Sequence, residues 1–379
     1  MPRHILLYSD APVFGGAERA LLELAHELPR GRFEVSAVFS EEGAVDHLAT
    51  LMAAQSVRVT RLPAVPTLKA HGAFLKVWRF FVQNRFDVVH FNLTDPRACT
   101  GAMMAAGMAL RSDFVVTEHL PRSVFDNLPL PRRVRAAAAR TAHTITNTDA
   151  DRAAILSRPW NRSRVHVVAN GVGDDGAPDT TRRARARAEL GFAEEDLLVG
   201  LVGRLIPQKN PDLFLEGVRR VVPHFPQARF VVLGDGPLLP QMRARAEELG
   251  IAHTLRWYGF RNDARELLQG LDLLVNTSVV EGMPFSVIEA MFAGLPVLGT
   301  RIPGLLETVA DHACGLLVAP GDGDALGAAM CSALSDRARL RRYGQVGRER
   351  ALLLFHARSM AARIANIYDT PVNAVAAAV

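Results

Sequence analysis

The feature that most constrains this chain is an alternation of short β-rich runs with helix-length stretches, which fills the first half, lapses, and starts again. HILLYS, FEVSAVFS, VRVTRL, FDVVHFN, DFVVTEH, HTITNT and RVHVVAN are separated by GAERALLELAHEL and by segments of helical period near 44–54, 72–84, 96–110, 130–141 and 149–157. Strand, helix, strand in this order predicts a parallel sheet wrapped by helices. From 173 to 187 the chain reads GDDGAPDTTRRARAR, which has no apolar face and is expected to be a linker. LLVGLVGRL, ARFVVLGDG, TLRWYGF, LDLLVNTS, LPVLGT and CGLLVAP then repeat the alternation, and 323–368 reads as helix throughout.

A length of 379 residues exceeds what one hydrophobic core usually accommodates. The expected fold is therefore α/β, with two Rossmann-like, doubly wound parallel-sheet domains at 1–172 and 188–355 facing a cleft. Ligands of such sheets bind at the carboxyl ends of the strands. Cys99, Cys314 and Cys331 form no CxxC pair and are odd in number, so neither a disulfide framework nor a zinc ribbon is expected. The apolar run at the start is broken by Asp10, and no stretch approaches the ~20 apolar residues of a membrane span, so a cytoplasmic protein is expected. The net charge of +5 comes mostly from arginine, with patches at 182–187 and at Arg132, Arg133 and Arg135. That balance suits an anionic partner, and an arginine-rich composition explains it equally.

The residues that carry chemistry follow strands. In VVEGMPFSVIEAMFAG, Pro284 suits the first turn of a helix, which leaves the amides of Phe285, Ser286 and Val287 open to an anion. Glu281 before the helix and Glu289 inside it have no basic neighbour in sequence, and two carboxylates flanking an anion are best explained as acceptors for vicinal hydroxyls. A ribose, a pyrophosphate and a hexose have that layout. In GRLIPQKNPD, Asn210 and Pro211 read as helix cap and first helical residue, so Lys209 stands where a cation is disfavoured unless an anion offsets it. Arg204 adds a second cation, and the two make a diphosphate clamp.

Weaker signals sit elsewhere. Gly15 and Gly16 of FGGAER let backbone amides approach a phosphate, although GxGxxG is absent. GDGP at 234–237 fits a plain turn as well as a nucleotide contact. His119 ends a strand and can donate a hydrogen bond or move protons near neutral pH. DGD at 322–324 and DAD at 149–151 read as helix caps rather than metal-binding DxD motifs, so no metal site is assigned.

GGAE at 15–18, His119, NGV at 170–172, GRLIPQKNPD, GDGP and above all EGMPFSVIEAM, whose Glu281 and Glu289 form E-x7-E, resemble the group 1, or family 4, retaining glycosyltransferases of GT-B fold. The resemblance implies that Gly16 contacts donor phosphate, Arg204 and Lys209 bind the pyrophosphate and stabilise the leaving nucleotide, Glu281 holds hydroxyls of the transferred sugar and Glu289 the ribose. It places the stretch Glu281, Gly282, Met283, Pro284, Phe285 and Ser286 against sugar and phosphate, with His119 on the opposite wall and Phe260 and Arg261 near the base. His119, Arg204, Lys209 and Glu281 are the expected catalytic set.

It further implies transfer with retention from a nucleotide-diphosphate sugar, UDP being favoured, to an unidentified hydroxyl acceptor. No cofactor or metal is required in that scheme, no nucleic acid is a partner, and residues 356–379 return to the first domain. LPRSVFDNLPLPRRVRAAAAR, 120–140, mixes arginines with apolar side chains and suits peripheral contact with an anionic membrane as well as ordinary packing. A nucleotide-sugar epimerase, or a non-catalytic protein that binds nucleotide sugars, would share the architecture. Release of nucleotide diphosphate only when acceptor is added separates these from a transferase.

Overall fold

The computed structural model describes residues 2–43, 45–65, 70–110, 114–120 and 131–370, and divides into two compact units, 1–173 with 356–379, and 174–355. In the first unit the order is β1 (Arg3–Tyr8), α1 (Gly16–Glu27), β2 (Phe33–Ser40), α2 (Asp46–Ala54), β3 (Arg58–Leu62), α3 (His71–Gln83) and β4 (Val88–Leu93). It continues through α4 (Thr100–Ala109), β5 (Phe114–Glu118), α5 (Arg132–Ala138), β6 (Thr141–Thr146), α6 (Asp149–Leu156) and β7 (Arg164–Val167). All pairings are parallel, in the order β3-β2-β1-β4-β5-β6-β7.

The apolar run of β1 follows from burial on both faces. Ile5 and Leu7 join one core with Leu21 and Leu24 of α1, while Leu6 and Tyr8 join another with Phe81, Phe91 and Phe114. Successive side chains of a strand point to opposite faces, so a strand covered on both sides has no solvent-facing position.

The second unit runs α7 (Thr180–Leu190), β8 (Leu197–Val202), α8 (Pro211–Val221), β9 (Ala228–Leu233), α9 (Leu239–Glu248), β10 (Leu255–Gly259), α10 (Ala264–Leu267) and β11 (Leu273–Asn276). Then come α11 (Phe285–Phe292), β12 (Val297–Thr300), α12 (Pro303–Thr308), β13 (Gly315–Val318), α13 (Gly323–Ser335) and α14 (Arg337–Leu354). Its six strands are also all parallel, ordered β10-β9-β8-β11-β12-β13.

The final helix, α15 (Ala357–Asp369), belongs to the first unit. Met360, Ile364 and Tyr368, one turn apart, enter the core beside α1, and Val172 pairs with His356 where the chain re-enters.

The expected linker at 173–187 is corrected by α7, which begins inside it. The Asp179 side chain caps the helix by accepting from the Arg182 amide, and Arg183 and Arg187 both bind Asp272 at the start of β11. Two arginines of the basic patch thus anchor this helix rather than await an anion. A segment with almost no apolar face docks through charge, which hydrophobic periodicity does not register.

Cys99, Cys314 and Cys331 are free thiols. Among the described residues no helix is long and apolar enough to cross a membrane. Of the stretch 120–140, residues 121–130 lie outside the described residues; Arg132–Ala138 forms α5, with Val134 and Ala137 buried.

Candidate active site

In the second unit the strand order reverses between β8 and β11, and the loops leaving these two strands carry Lys209 and Glu281. Diverging connections open a crevice at such a switch point. Asn210, in the left-handed region at φ 43°, turns the chain from a 3-10 turn, Pro207–Lys209, into α8. The two loops are then laced together. Val279 N donates to Gln208 O at 2.9 Å, Gln208 Nε2 to Val280 O at 3.0 Å, and Thr277 Oγ1 to Lys209 O at 2.9 Å.

Glu281, which has no basic residue nearby in sequence, pairs through Oε1 with Lys209 Nζ. The same Oε1 accepts a hydrogen bond from Ser278 Oγ at 2.7 Å. Arg204 is exposed and makes no ion pair with any described residue. The clamp therefore has one free cation and one held in reserve on a carboxylate.

Pro284 takes the cap position of α11, one residue ahead of its expected place. The amides of Phe285 and Ser286 have no acceptor among the described residues, but that of Val287 donates to Pro284 O at 3.2 Å. The expected trio of open amides is thus reduced to two, because the first turn closes tightly on Pro284. Gly282, Met283 and Pro284 are buried beneath this turn. Behind them stands Gly304 of α12, where a Cβ would lie 1.9 Å from Gly282 O and 2.5 Å from Glu281 O. Only glycine lets the α12 backbone approach so closely.

Glu289 lines a groove of about 580 Å³ with Glu189, Asp263, Arg265 and Phe292. At its edge Arg261 binds both Asp263 and Glu189, which hold its guanidinium above its ordinary pKa, and Phe260 is 60 % exposed. The GDGP loop is explained by packing: at Gly234, with φ 155°, a Cβ would stand 1.9 Å from Gly203 O. Asp322 caps α13, as expected of DGD, whereas the DAD helix is capped by Thr148, one residue earlier.

In the first unit the reversal falls between β1 and β4. α1 starts at Gly16, whose amide has no acceptor among the described residues. The amide of Gly15 is used internally, donating at 3.1 Å to the buried Glu18 carboxylate, which also accepts from Ser9 Oγ. Only one of the two glycines therefore offers its N–H to a ligand. Asp10 accepts from the Cys99 amide and thiol, tying the ends of β1 and β4 together.

His119 is buried, with Nε2 at 2.8 Å from Asn92 Oδ1, and burial lowers its pKa to about 4. At neutral pH the ring is uncharged, so it acts there as a hydrogen-bonding group or a proton acceptor. His90, lowered to about 3 by burial and by His119, bridges Thr117 of β5 and Tyr368 of α15. Beside His119, Glu118 forms a two-pronged pair with Arg158 at 2.9 Å.

Sequence reasoning missed Ser278, Thr277, Gln208 and Gly304. The last three act across distances in sequence that no spacing rule spans, and only Ser278, three residues before Glu281, lay within reach of a local signal.

Fold and site together define a nucleotide-binding α/β protein whose basic, helix-capped crevice suits a phosphorylated sugar donor. Residues 182–350 match the family model for glycosyl transferases group 1, and residues 14–175 that for glycosyltransferase family 4. The chain is 24% identical over 343 residues to the UDP-Gal:alpha-D-GlcNAc-diphosphoundecaprenol alpha-1,3-galactosyltransferase of Escherichia coli, covering 86% of each chain. To the GDP-mannose-dependent alpha-(1-6)-phosphatidylinositol monomannoside mannosyltransferase of Mycolicibacterium smegmatis it is 28% identical, over 82% of this chain and 83% of that one. Its fold superposes on Anabaena HepE, solved in complex with UDP and glucose, with a TM-score of 0.84 at 22% identity, over 97% of this chain and all of the other. The chain belongs to the group 1, family 4, glycosyltransferases and has the GT-B fold. It is a glycosyltransferase that uses a nucleotide-sugar donor.

Proposed function

We propose that the chain transfers a hexose, with retention of anomeric configuration, from a UDP-sugar to a hydroxyl of a lipid-linked acceptor in surface polysaccharide or glycolipid synthesis. The observation that carries the donor site is the convergence, at the β8/β11 switch point, of unpaired Arg204, the Lys209–Glu281 pair and the open amides of Phe285 and Ser286. Cations and a helix N-terminus facing a leaving diphosphate stabilise the negative charge that develops as the glycosidic bond breaks. Lys209 moves from Glu281 toward the diphosphate, which leaves Glu281 to accept from the sugar hydroxyls. Glu289 and the groove beside it take the ribose and base, with Phe260 and Arg261 at the rim. Gly16 and His119 serve as neutral hydrogen-bonding groups in this scheme. The departing phosphate takes the acceptor proton, and no metal takes part.

UDP is the first choice because the Escherichia coli relative is named for UDP-Gal and HepE holds UDP, while the mycobacterial relative is named for GDP-mannose. Both relatives are named for lipid-borne acceptors. On α3, Leu75, Arg79 and Val82 share one face beside Lys76; Leu75 is 44% and Val82 52% exposed, a combination that fits an anionic bilayer surface.

The test is thermal stabilisation and slow hydrolysis against UDP-, GDP-, ADP- and dTDP-sugars, with and without EDTA. One UDP-sugar should stabilise the protein and be hydrolysed unchanged by EDTA; no response to any nucleotide sugar would refute the reading. NMR of a product settles the anomeric outcome. Flotation with phosphatidylglycerol vesicles tests the membrane surface, and binding unaltered by Leu75→Ser with Val82→Ser would remove α3 from it.

A further inference from the structure

The two oxygens of Glu281 are not equivalent. Oε1 accepts from Ser278 Oγ at 2.7 Å and from Lys209 Nζ, whereas Oε2 has no partner among the described residues. Ser278 is itself 1 % exposed, and its backbone is fixed at both ends. Its amide donates to Asn276 Oδ1 at 3.1 Å, and its carbonyl accepts from Thr300 Oγ1 on β12. The hydroxyl is therefore held on a rigid frame, and Glu281 follows it.

From this geometry we infer that Ser278 is a positioning residue that decides which Glu281 oxygen meets the donor sugar. The inference rests on the donor-site reading above. An anion entering the crevice draws the Lys209 ammonium away from Oε1, because a diphosphate carries more charge than one carboxylate. Ser278 is then the remaining donor on Oε1. Its hydrogen bond keeps the carboxylate from rotating, so Oε2 stays directed outward as the single acceptor for one sugar hydroxyl. Without it, either oxygen can turn toward the ligand or back to Lys209, and the contact loses its direction.

The consequence is selectivity for one hydroxyl rather than rate alone. The experiment compares hydrolysis of UDP-glucose, or of GDP-mannose if the donor panel selects it, with that of the 2-, 3-, 4- and 6-deoxy analogues. Wild type, Ser278→Ala and Ser278→Cys are assayed, with UDP or GDP affinity and melting temperature measured for each. Wild type should discriminate strongly against one deoxy donor, and Ser278→Ala should lose roughly tenfold of that discrimination while leaving the ratios for the other analogues and the free-nucleotide affinity unchanged. Ser278→Cys, which puts a weaker donor on a somewhat larger side chain, should lie between.

A Ser278→Ala protein that slows every donor by one common factor, or keeps the wild-type ratio, overturns the positioning role while leaving the donor site standing. Wild type that shows no preference among the deoxy donors removes the sugar contact of Glu281, and the inference falls with it. Ser278→Cys that behaves as Ser278→Ala in melting temperature but as wild type in selectivity also overturns it, since packing and not hydrogen bonding would then be at work.

Discussion

The two units share a plan, a parallel doubly wound sheet with polar residues gathered where the strand order reverses, yet they use those residues oppositely. In the first unit polar groups largely satisfy one another: Glu18 holds Gly15 and Ser9, Asp10 holds Cys99, Glu118 holds Arg158, and His90 joins Thr117 to Tyr368. In the second unit, among the described residues, Arg204 is unpaired, Glu281 keeps one oxygen free, and two helix amides have no acceptor. Buried groups that satisfy each other stiffen a scaffold, whereas groups left open hold binding capacity for a ligand. Substitutions of these mutually paired groups in the first unit are therefore expected to act on stability, and those of the open groups in the second on donor binding and rate.

The sharpest break of that contrast is Arg158→Ala. It strands the Glu118 carboxylate, 9% exposed, and should destabilise the protein by about 3–5 kcal/mol while sparing the rate of whatever remains folded. Urea titration measures the loss; a stable variant with a slow rate would move Arg158 into the reacting site. Next comes Lys209→Ala, expected to lower turnover roughly 10²–10³-fold by analogy with loss of one preorganised donor. It also leaves the Glu281 carboxylate, 7% exposed, with Ser278 Oγ as its donor, so some stability is lost alongside, and a normal rate would take Lys209 out of the clamp.

Glu289→Gln is milder. Nucleotide affinity should fall by roughly tenfold, as for one hydrogen bond from a hydroxyl to a charged acceptor, and the loss should vanish with a 2′,3′-dideoxynucleotide. Calorimetry reads this, and an equal loss for both nucleotides would put Glu289 elsewhere than the ribose.

A pH dependence belongs to the first unit. His90 and His119 have folded pKa values lowered to about 3 and about 4 from 6.5, so the unfolded chain binds their protons first. Stability from these two groups is complete above pH 6.5 and declines as pH falls from there toward 4. The melting temperature should drop between pH 7 and pH 5, less so in His90→Asn. The same shift means that His119 contributes no titration near pH 6.5 to the rate profile. A limb there that disappears in His119→Asn would show that the ring is reached by solvent.

Much of the fold was legible because its signals are local. Alternation of period two with period 3.6 identifies strands and helices, and unbroken apolar runs such as ILL and LLVGLV mark sheets covered on both faces. E-x7-E and the proline ahead of α11 likewise announce a helix N-terminus with carboxylates beside it. The linker reading failed where docking is ionic: α7 attaches through Arg183, Arg187 and Asp272, partners some 85 residues apart in the chain.

What the sequence by itself determined is the plan, the kind of residue in each strand-end loop and their order, since these depend on contacts within a few residues. The tertiary structure alone decided pairing. It brought Lys209 to Glu281 across 72 positions, set Gly304 against the Gly282 carbonyl, spent the Gly15 and Val287 amides internally, and buried His119, which lowers its pKa to about 4. Which polar group remains open depends on which others find partners, and partners are assigned by folding in three dimensions rather than by neighbourhood along the chain.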